Sequence, residues 1–349
     1  MPTTYAIPNG RTVMDVSTWS GTGSYPATIT NQYGFKPDLV WGKTRSTTYD
    51  HVVYDSVRGT GSTKSLATNI TNAEGYNSAY TNISAFASNG FTVDTTSSTN
   101  ILNNSGQTFV AWQWQAGQGT TSSNTAGSIT STVSVNQAAG FSIVKYTGTG
   151  ANGTVGHGLG VAPSFIVAKN TATSSNWNCY HASIGANYAI YLNLNSAAGA
   201  SSAYWNNTPP TSSVFSLGNT GETNASGNLI IAYCWAQVAG FSQFGTYTGN
   251  GSSDGPFIYT GFQPKFVMFK QTNSNEAWYM YDTARSPYNN LTNILIASLS
   301  NSESTNSYPL TVLSNGFKIP TSWGGVNTSG APYIYMAFAS NPFKYSNAF

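Results

Sequence analysis

The sequence predicts an all-β protein made of three tandem β-sandwich, jelly-roll-like repeats of about 100 residues each. Two observations carry this reading. A skeleton of motifs recurs three times at fixed spacing, and within each copy short β-branched and aromatic runs alternate with a period of two between turn residues. Composition agrees. Ser, Thr, Asn and Gly supply 160 of 349 residues, aromatics 14% and charged residues 7%, against roughly 25% charged in an average soluble domain. Such a chain holds enough apolar residues to bury a core. It lacks the charged flanking positions of a coiled coil.

Each copy opens on aromatic-Ser/Thr-Gly-x-Gly, beginning at Trp19, Tyr146 and Tyr247. A proline follows, and six residues later an apolar run ends in lysine: Pro37 to Lys43, Pro163 to Lys169, Pro264 to Lys270. Tyr54, Tyr180 and Tyr281 lie eleven residues beyond those lysines. Asn-x-Ser-Gly begins at Asn103, Asn224 and Asn327, and eight residues past its glycine stands Trp114, Trp235 or Phe338. The last apolar run of each copy, ending near that ring, is its longest strand. Asn-Gly at 89–90 and 315–316 marks tight hairpins. No window holds a convincing helical stripe; the best is 291–299. The repeats are placed at 1–117, 140–239 and 240–349. Residues 118–139, rich in Gly, Ser and Thr, read as a flexible linker, with a short strand around Ile129, Val133 and Val135 as an alternative. Repeats two and three then pack as one unit, with the first hinged on it.

Several function classes fall away. Thirteen scattered basic residues and a net charge of +2 give no phosphate-binding stripe, so nucleic acid is not an expected partner. No run reaches the roughly 18 apolar residues of a membrane helix, and the first residues show no secretory signal, so folding in a cytoplasm, or export by a route that leaves no such mark, is expected. The two cysteines, Cys179 and Cys234, make no disulfide framework.

Candidate sites are few. Cys179 and His181 share a strand face, but a metal needs further ligands, so no metal and no cofactor is expected. His157 lies in Gly-His-Gly-Leu-Gly and reads as a packed turn; His51 stands alone. Asp55 with Arg58 and Asp282 with Arg285 occupy equivalent places and read as turn-pinning pairs. The eleven carboxylates form no acid pair, so no catalytic residue is assigned. The lone turn at 148–150 lacks the helix of a phosphate loop and reads as a hairpin. Lys43, Lys169 and Lys270 read as structural, each laying its stem over apolar neighbours while its ammonium reaches a strand-end carbonyl or the aspartate of the next strand. Recurring Trp19, Trp114, Trp177, Trp235 and Trp278 read as core. Trp205, Trp323 and Tyr76 stand in non-repeated Ser/Asn-rich stretches and are the candidate receptor-binding aromatics.

The stretch Gly140-Phe-Ser-Ile-Val-Lys-Tyr-Thr-Gly with Gly156-His-Gly-Leu-Gly160 resembles a family of uncharacterised phage virion proteins of cyanobacterial and marine bacterial phages. Asn224-Ala-Ser-Gly, Gly240-Phe-Ser-Gln-Phe-Gly, Asp254-Gly-Pro-Phe and Ala339-Ser-Asn-Pro-Phe-Lys344 extend the likeness through most of the chain. The resemblance implies a non-enzymatic virion structural protein, a tail fibre or related appendage subunit, assembled in the host cytoplasm and involved in attachment. Expected partners are other virion proteins, a host surface glycan, and the chain itself as a homotrimer. A carbohydrate-binding module or head decoration protein is the alternative. A polysaccharide depolymerase comes last, since it would need clustered carboxylates.

Overall fold

Alternating apolar runs between glycine and asparagine turns form antiparallel strands throughout residues 12–76, 82–94 and 101–340, the parts described by this computed structural model. The first unit holds β1 (Met14–Ser20), β2 (Ala27–Thr30), β3 (Leu39–Thr44), β4 (Val52–Asp55), β5 (Asn82–Ala87), β6 (Gly90–Asp94) and β7 (Thr108–Trp114). Its sheet β1-β7-β3-β4 is faced by β2-β6-β5. The second unit holds β8 (Ser122–Asn124), β9 (Ser131–Asn136), β10 (Phe141–Thr147), β11 (Gly153–Gly156), β12 (Phe165–Asn170), β13 (Trp177–His181), β14 (Tyr188–Tyr191), β15 (Gly199–Ala200), β16 (Val214–Leu217), the helical turn α1 (Gly221–Asn224) and β17 (Leu229–Trp235). Its sheet runs β15-β14-β13-β12-β17-β10-β9-β8, faced by β11-β16. The third unit holds β18 (Ser242–Thr248), β19 (Phe257–Tyr259), β20 (Pro264–Gln271), β21 (Tyr279–Asp282), β22 (Leu291–Ile296), β23 (Ser304–Leu313), β24 (Gly316–Lys318), the helical turn α2 (Gly324–Asn327) and β25 (Pro332–Ala339). Its strands form one sheet, β18-β25-β20-β21-β22-β23-β24-β19.

One four-strand pattern therefore recurs: β1-β7-β3-β4, β10-β17-β12-β13 and β18-β25-β20-β21. Register recurs with it, since Lys43 pairs with Val110, Lys169 with Ile231 and Lys270 with Ile334. The two repeated turn motifs clasp each other. Asn103, Asn224 and Asn327 are buried, and their side-chain oxygens accept from the backbone N–H of Thr22, Thr149 and Asn250 at 3.1, 2.8 and 2.7 Å. Their backbone carbonyls accept from Gly23, Gly150 and Gly251, whose φ of 71°, 75° and 67° lies where an L side chain is strained. This turn joins strands of different layers, so the hairpin expected at 148–150 is replaced by a crossover: β10 pairs with β17 and β9, and β11 with β16.

Residues 118–139 also depart from the linker reading. β8 and β9 extend the second sheet, and Ile129 bridges to Val155 in the facing layer. Alternation places Ile129 and Val133 in the second unit's core, and that burial holds the segment down. The 291–299 stretch is strand β22, and both Asn-Gly turns are two-residue hairpins.

Each four-strand pattern buries both faces. In unit one Val40, Tyr54 and Phe109 pack on Ile83, Phe91 and Val93 of the second layer; in unit two Val144, Ile166 and Ile230 pack on Val155, Phe215 and Leu217. The opposite faces of the first two patterns meet the third unit in a common core. There Trp114 packs edge-on to Trp235 at 5.8 Å and to Phe338 at 5.7 Å, so one equivalent ring from each unit converges. Aromatic contacts of this kind contribute about 0.5–1.5 kcal/mol each beyond their buried area.

Polar contacts across the seams recur in a closed cycle. Glu74 N–H donates to the Thr171 carbonyl, Ala198 to Thr272 and Glu303 to Arg45, at 2.9, 2.8 and 2.7 Å, linking units one to two, two to three and three to one. The indoles of Trp177 and Trp278 donate to the carbonyls of Ala67 and Tyr191 at 2.7 and 2.8 Å. His51, eight residues past Lys43 as those tryptophans are past their lysines, contacts the Ile296 carbonyl at 3.0 Å. The first unit is thus held against both of the others rather than joined through residues 118–139 alone.

Candidate functional site

The repeated lysines are fully buried on the common-core face. Lys43 donates to the Thr44 and Thr47 carbonyls at 2.6 and 3.4 Å. Lys169 donates to Ser175 of its own unit at 2.8 Å and to Thr71 of unit one at 2.9 Å. Lys270 donates to Glu276 and, at 3.0 Å, to Asn195 of unit two. Carbonyls rather than aspartates receive them. Burial lowers the ammonium pKa to about 7 for Lys43 and about 8 for Lys169 and Lys270.

The aspartate–arginine pairs pin their turns as expected, at 2.5 Å for Asp55–Arg58 and 2.6 Å for Asp282–Arg285. They also work across seams. Asp55 accepts from the Tyr233 hydroxyl at 2.8 Å, and Asp282 from the Trp112 indole at 3.1 Å. His181, the equivalent residue of unit two, lies 3.1 Å from the Tyr335 carbonyl, and burial lowers its pKa to about 4. His157 is packed between Leu159 N–H and the Thr211 carbonyl. Cys179 faces the common core and Cys234 the second sandwich, so the two thiols lie on opposite sheet faces. Burial pushes both thiols up and makes them poor nucleophiles.

The three receptor candidates are not brought together. Trp205 is 2% exposed, edge-on to Tyr180 at 6.0 Å and Phe215 at 6.4 Å, so it is core rather than contact surface. The second layer of unit two has only two strands, and Trp205 packs against it. Trp323 is half-buried, stacked on Tyr308 at 4.0 Å between ring centroids. Tyr76 is half-buried on unit one and donates to Asp50 at 3.2 Å.

Exposed rings gather instead on unit three. Phe257 and Tyr259, 47% and 66% exposed, share the outer face of β19. Tyr288, 84% exposed, stands over an open cleft lined by Gln263, Thr283, Asn289, Leu291 and Ser340. Asn289 is fixed by the Val312 main chain, donating to its carbonyl at 2.6 Å and accepting from its N–H at 3.0 Å. The Ser340 hydroxyl reaches the Gln263 side-chain oxygen at 3.2 Å. Among the described residues, no acid, histidine, lysine or arginine lines this cleft. Its arrangement offers an apolar ring face beside neutral hydrogen-bonding groups. The sequence signal was Ser286-Pro-Tyr-Asn-Asn290, which the other two repeats lack.

Residues 11–342 match one family model, described as a domain of unknown function, DUF7483. The chain belongs to the DUF7483 family. The match runs through all three units, so the DUF7483 domain corresponds to the closed set rather than to one sandwich. No curated protein and no solved structure matches the chain.

Proposed function

We propose that this protein is a non-enzymatic structural component of a phage particle, a tail-fibre or related appendage subunit that assembles with other virion proteins and touches a host surface glycan. The neutral cleft under Tyr288 carries the binding part of the reading. A pyranose presents an apolar face and a rim of hydroxyls, which suits an exposed ring flanked by amide and hydroxyl groups. Charge-poor surfaces and exposed edge strands favour further association, and a homotrimer remains the first arrangement proposed. The particle setting rests on the motif resemblance at 140–160 and in the C-terminal half. Glycan-array binding by the soluble chain, repeated with Tyr288→Ala, tests the site. Binding lost in the variant supports it; equal binding by both, or none by either, removes the glycan from the proposal. Antibody labelling of purified particles tests the setting, and an unlabelled particle contradicts it. A free carbohydrate-binding module is the second reading, favoured by the same cleft.

A further inference from the structure

The three seams share a backbone contact but differ in the charged residues they carry. Lys145 pairs with Ile231 on β17, where the equivalent positions hold Thr18, paired with Val110, and Thr246, paired with Ile334. Two residues past the repeated lysine the exchange runs the other way: Arg45 in unit one, Thr171 and Thr272 in the others. At the seam of units three and one, Arg45 grips Glu303 through two bonds of 2.7 and 3.0 Å, and Arg285 lies 3.1 Å from the same carboxylate. At the seam of units one and two, Thr171 is too short to do this. A small open cleft lies there, lined by Lys145 and Thr171 from unit two and by Arg58, Lys64 and Glu74 from unit one.

The charges of this cleft do not balance. Glu74 pairs with Arg58 at 2.9 Å and Lys64 at 3.2 Å, and Asp55 pairs with Arg58 at 2.5 Å. Lys145 makes no ion pair among the described residues; its ammonium lies 3.5 Å from the Val57 carbonyl. Three cations thus face two carboxylates. A surplus charge in a half-buried cleft is costly unless a counter-charge joins it. The equivalent places in the other units hold Thr18 and Thr246, which carry no charge, so this cation is not a requirement of the repeated pattern.

We propose that this cleft binds a single small oxyanion group, held by the ammonium groups of Lys145 and Lys64. The site is separate from the cleft under Tyr288 and does not depend on where the protein assembles. The test is calorimetric titration of the full chain with inorganic phosphate, sulfate and acetate against chloride of matched ionic strength, with thermal unfolding in the same solutions. Lys145→Thr installs the residue of the other two units, and Lys64→Gln is the second variant should the first fail to fold. Lys318→Gln, at an exposed pair on unit three, is the control. Wild type and the control should bind at least one oxyanion and gain melting temperature over chloride. Lys145→Thr and Lys64→Gln should bind about tenfold more weakly, with midpoints in chloride close to wild type. Galacturonate and galactose 6-sulfate, compared with galactose, separate the sources: tighter binding than the bare anions assigns a saccharide-borne group, equal binding a free ion. No oxyanion-specific binding by wild type, or the same affinity in Lys145→Thr, would overturn the proposal.

Discussion

His51, Trp177 and Trp278 occupy one position in three units, and each spends a ring nitrogen on a carbonyl of the neighbouring unit. Trp278→Phe keeps most of the packing and strands the Tyr191 carbonyl, so a loss of about 1–3 kcal/mol is expected in urea unfolding. Lys270→Met keeps the stem and leaves the Glu276 and Asn195 carbonyls without their donor; a loss of about 1–2 kcal/mol is expected. The same buried groups set a pH dependence. His181 is depressed to about 4 from 6.5, so the unfolded chain binds more protons between those values and stability falls as pH drops through them. The lysines, depressed from 10.5 to about 7 or 8, act in the same direction higher up, and stability rises from neutral pH towards 10. Above about 10 the buried tyrosines, whose pKa values are raised, reverse the slope, because the unfolded chain then loses phenol protons first. A melting temperature that is flat between pH 7 and about 9.5 would contradict the lysine part of this account.

β9 is the element whose role differs most from its composition. Its polar residues suggest a tether, yet Val133 and Ile129 plug the second sandwich and Ser134 is buried, accepting from Gly117 N–H at 3.0 Å. Val133→Asp should cost about 2–4 kcal/mol, as an unpaired buried carboxylate does, whereas a substitution in a linker would cost nothing measurable. Far-ultraviolet circular dichroism against urea distinguishes the two. Strand content and the lysines' attachment to carbonyls of their own units were legible because each is local. The carbonyls of Thr71 and Asn195, which Lys169 and Lys270 reach across the seams, were not. Nor were the seams. Trp177 and Ala67 are 110 residues apart, and nothing in either neighbourhood names the other. Trp205 misled for a related reason, since a ring outside the repeat pattern can still fill a gap left by a two-strand layer. Tyr288 and Lys145 were visible as departures from the repeat, but only the seams and clefts give those departures a meaning.

At the scale of the whole molecule, three units built on one four-strand pattern share a core and a cycle of contacts that closes from the third unit back to the first. The Lys265–Asp15 and Arg45–Glu303 pairs complete that closure between the ends of the chain. A head-to-tail interface that closes on itself leaves no unit with an unpaired seam, as a cyclic oligomer of separate subunits would. Here one chain supplies all three units and non-covalent contacts close the third on the first, so loss of one unit exposes apolar faces of the other two. The units should therefore unfold together, and Trp278→Phe and Val133→Asp should lower one common transition rather than split it. Scanning calorimetry of the full chain tests this most directly. The account predicts a single endotherm whose calorimetric and van't Hoff enthalpies agree; two or three resolved endotherms, each assignable to one unit, would contradict it.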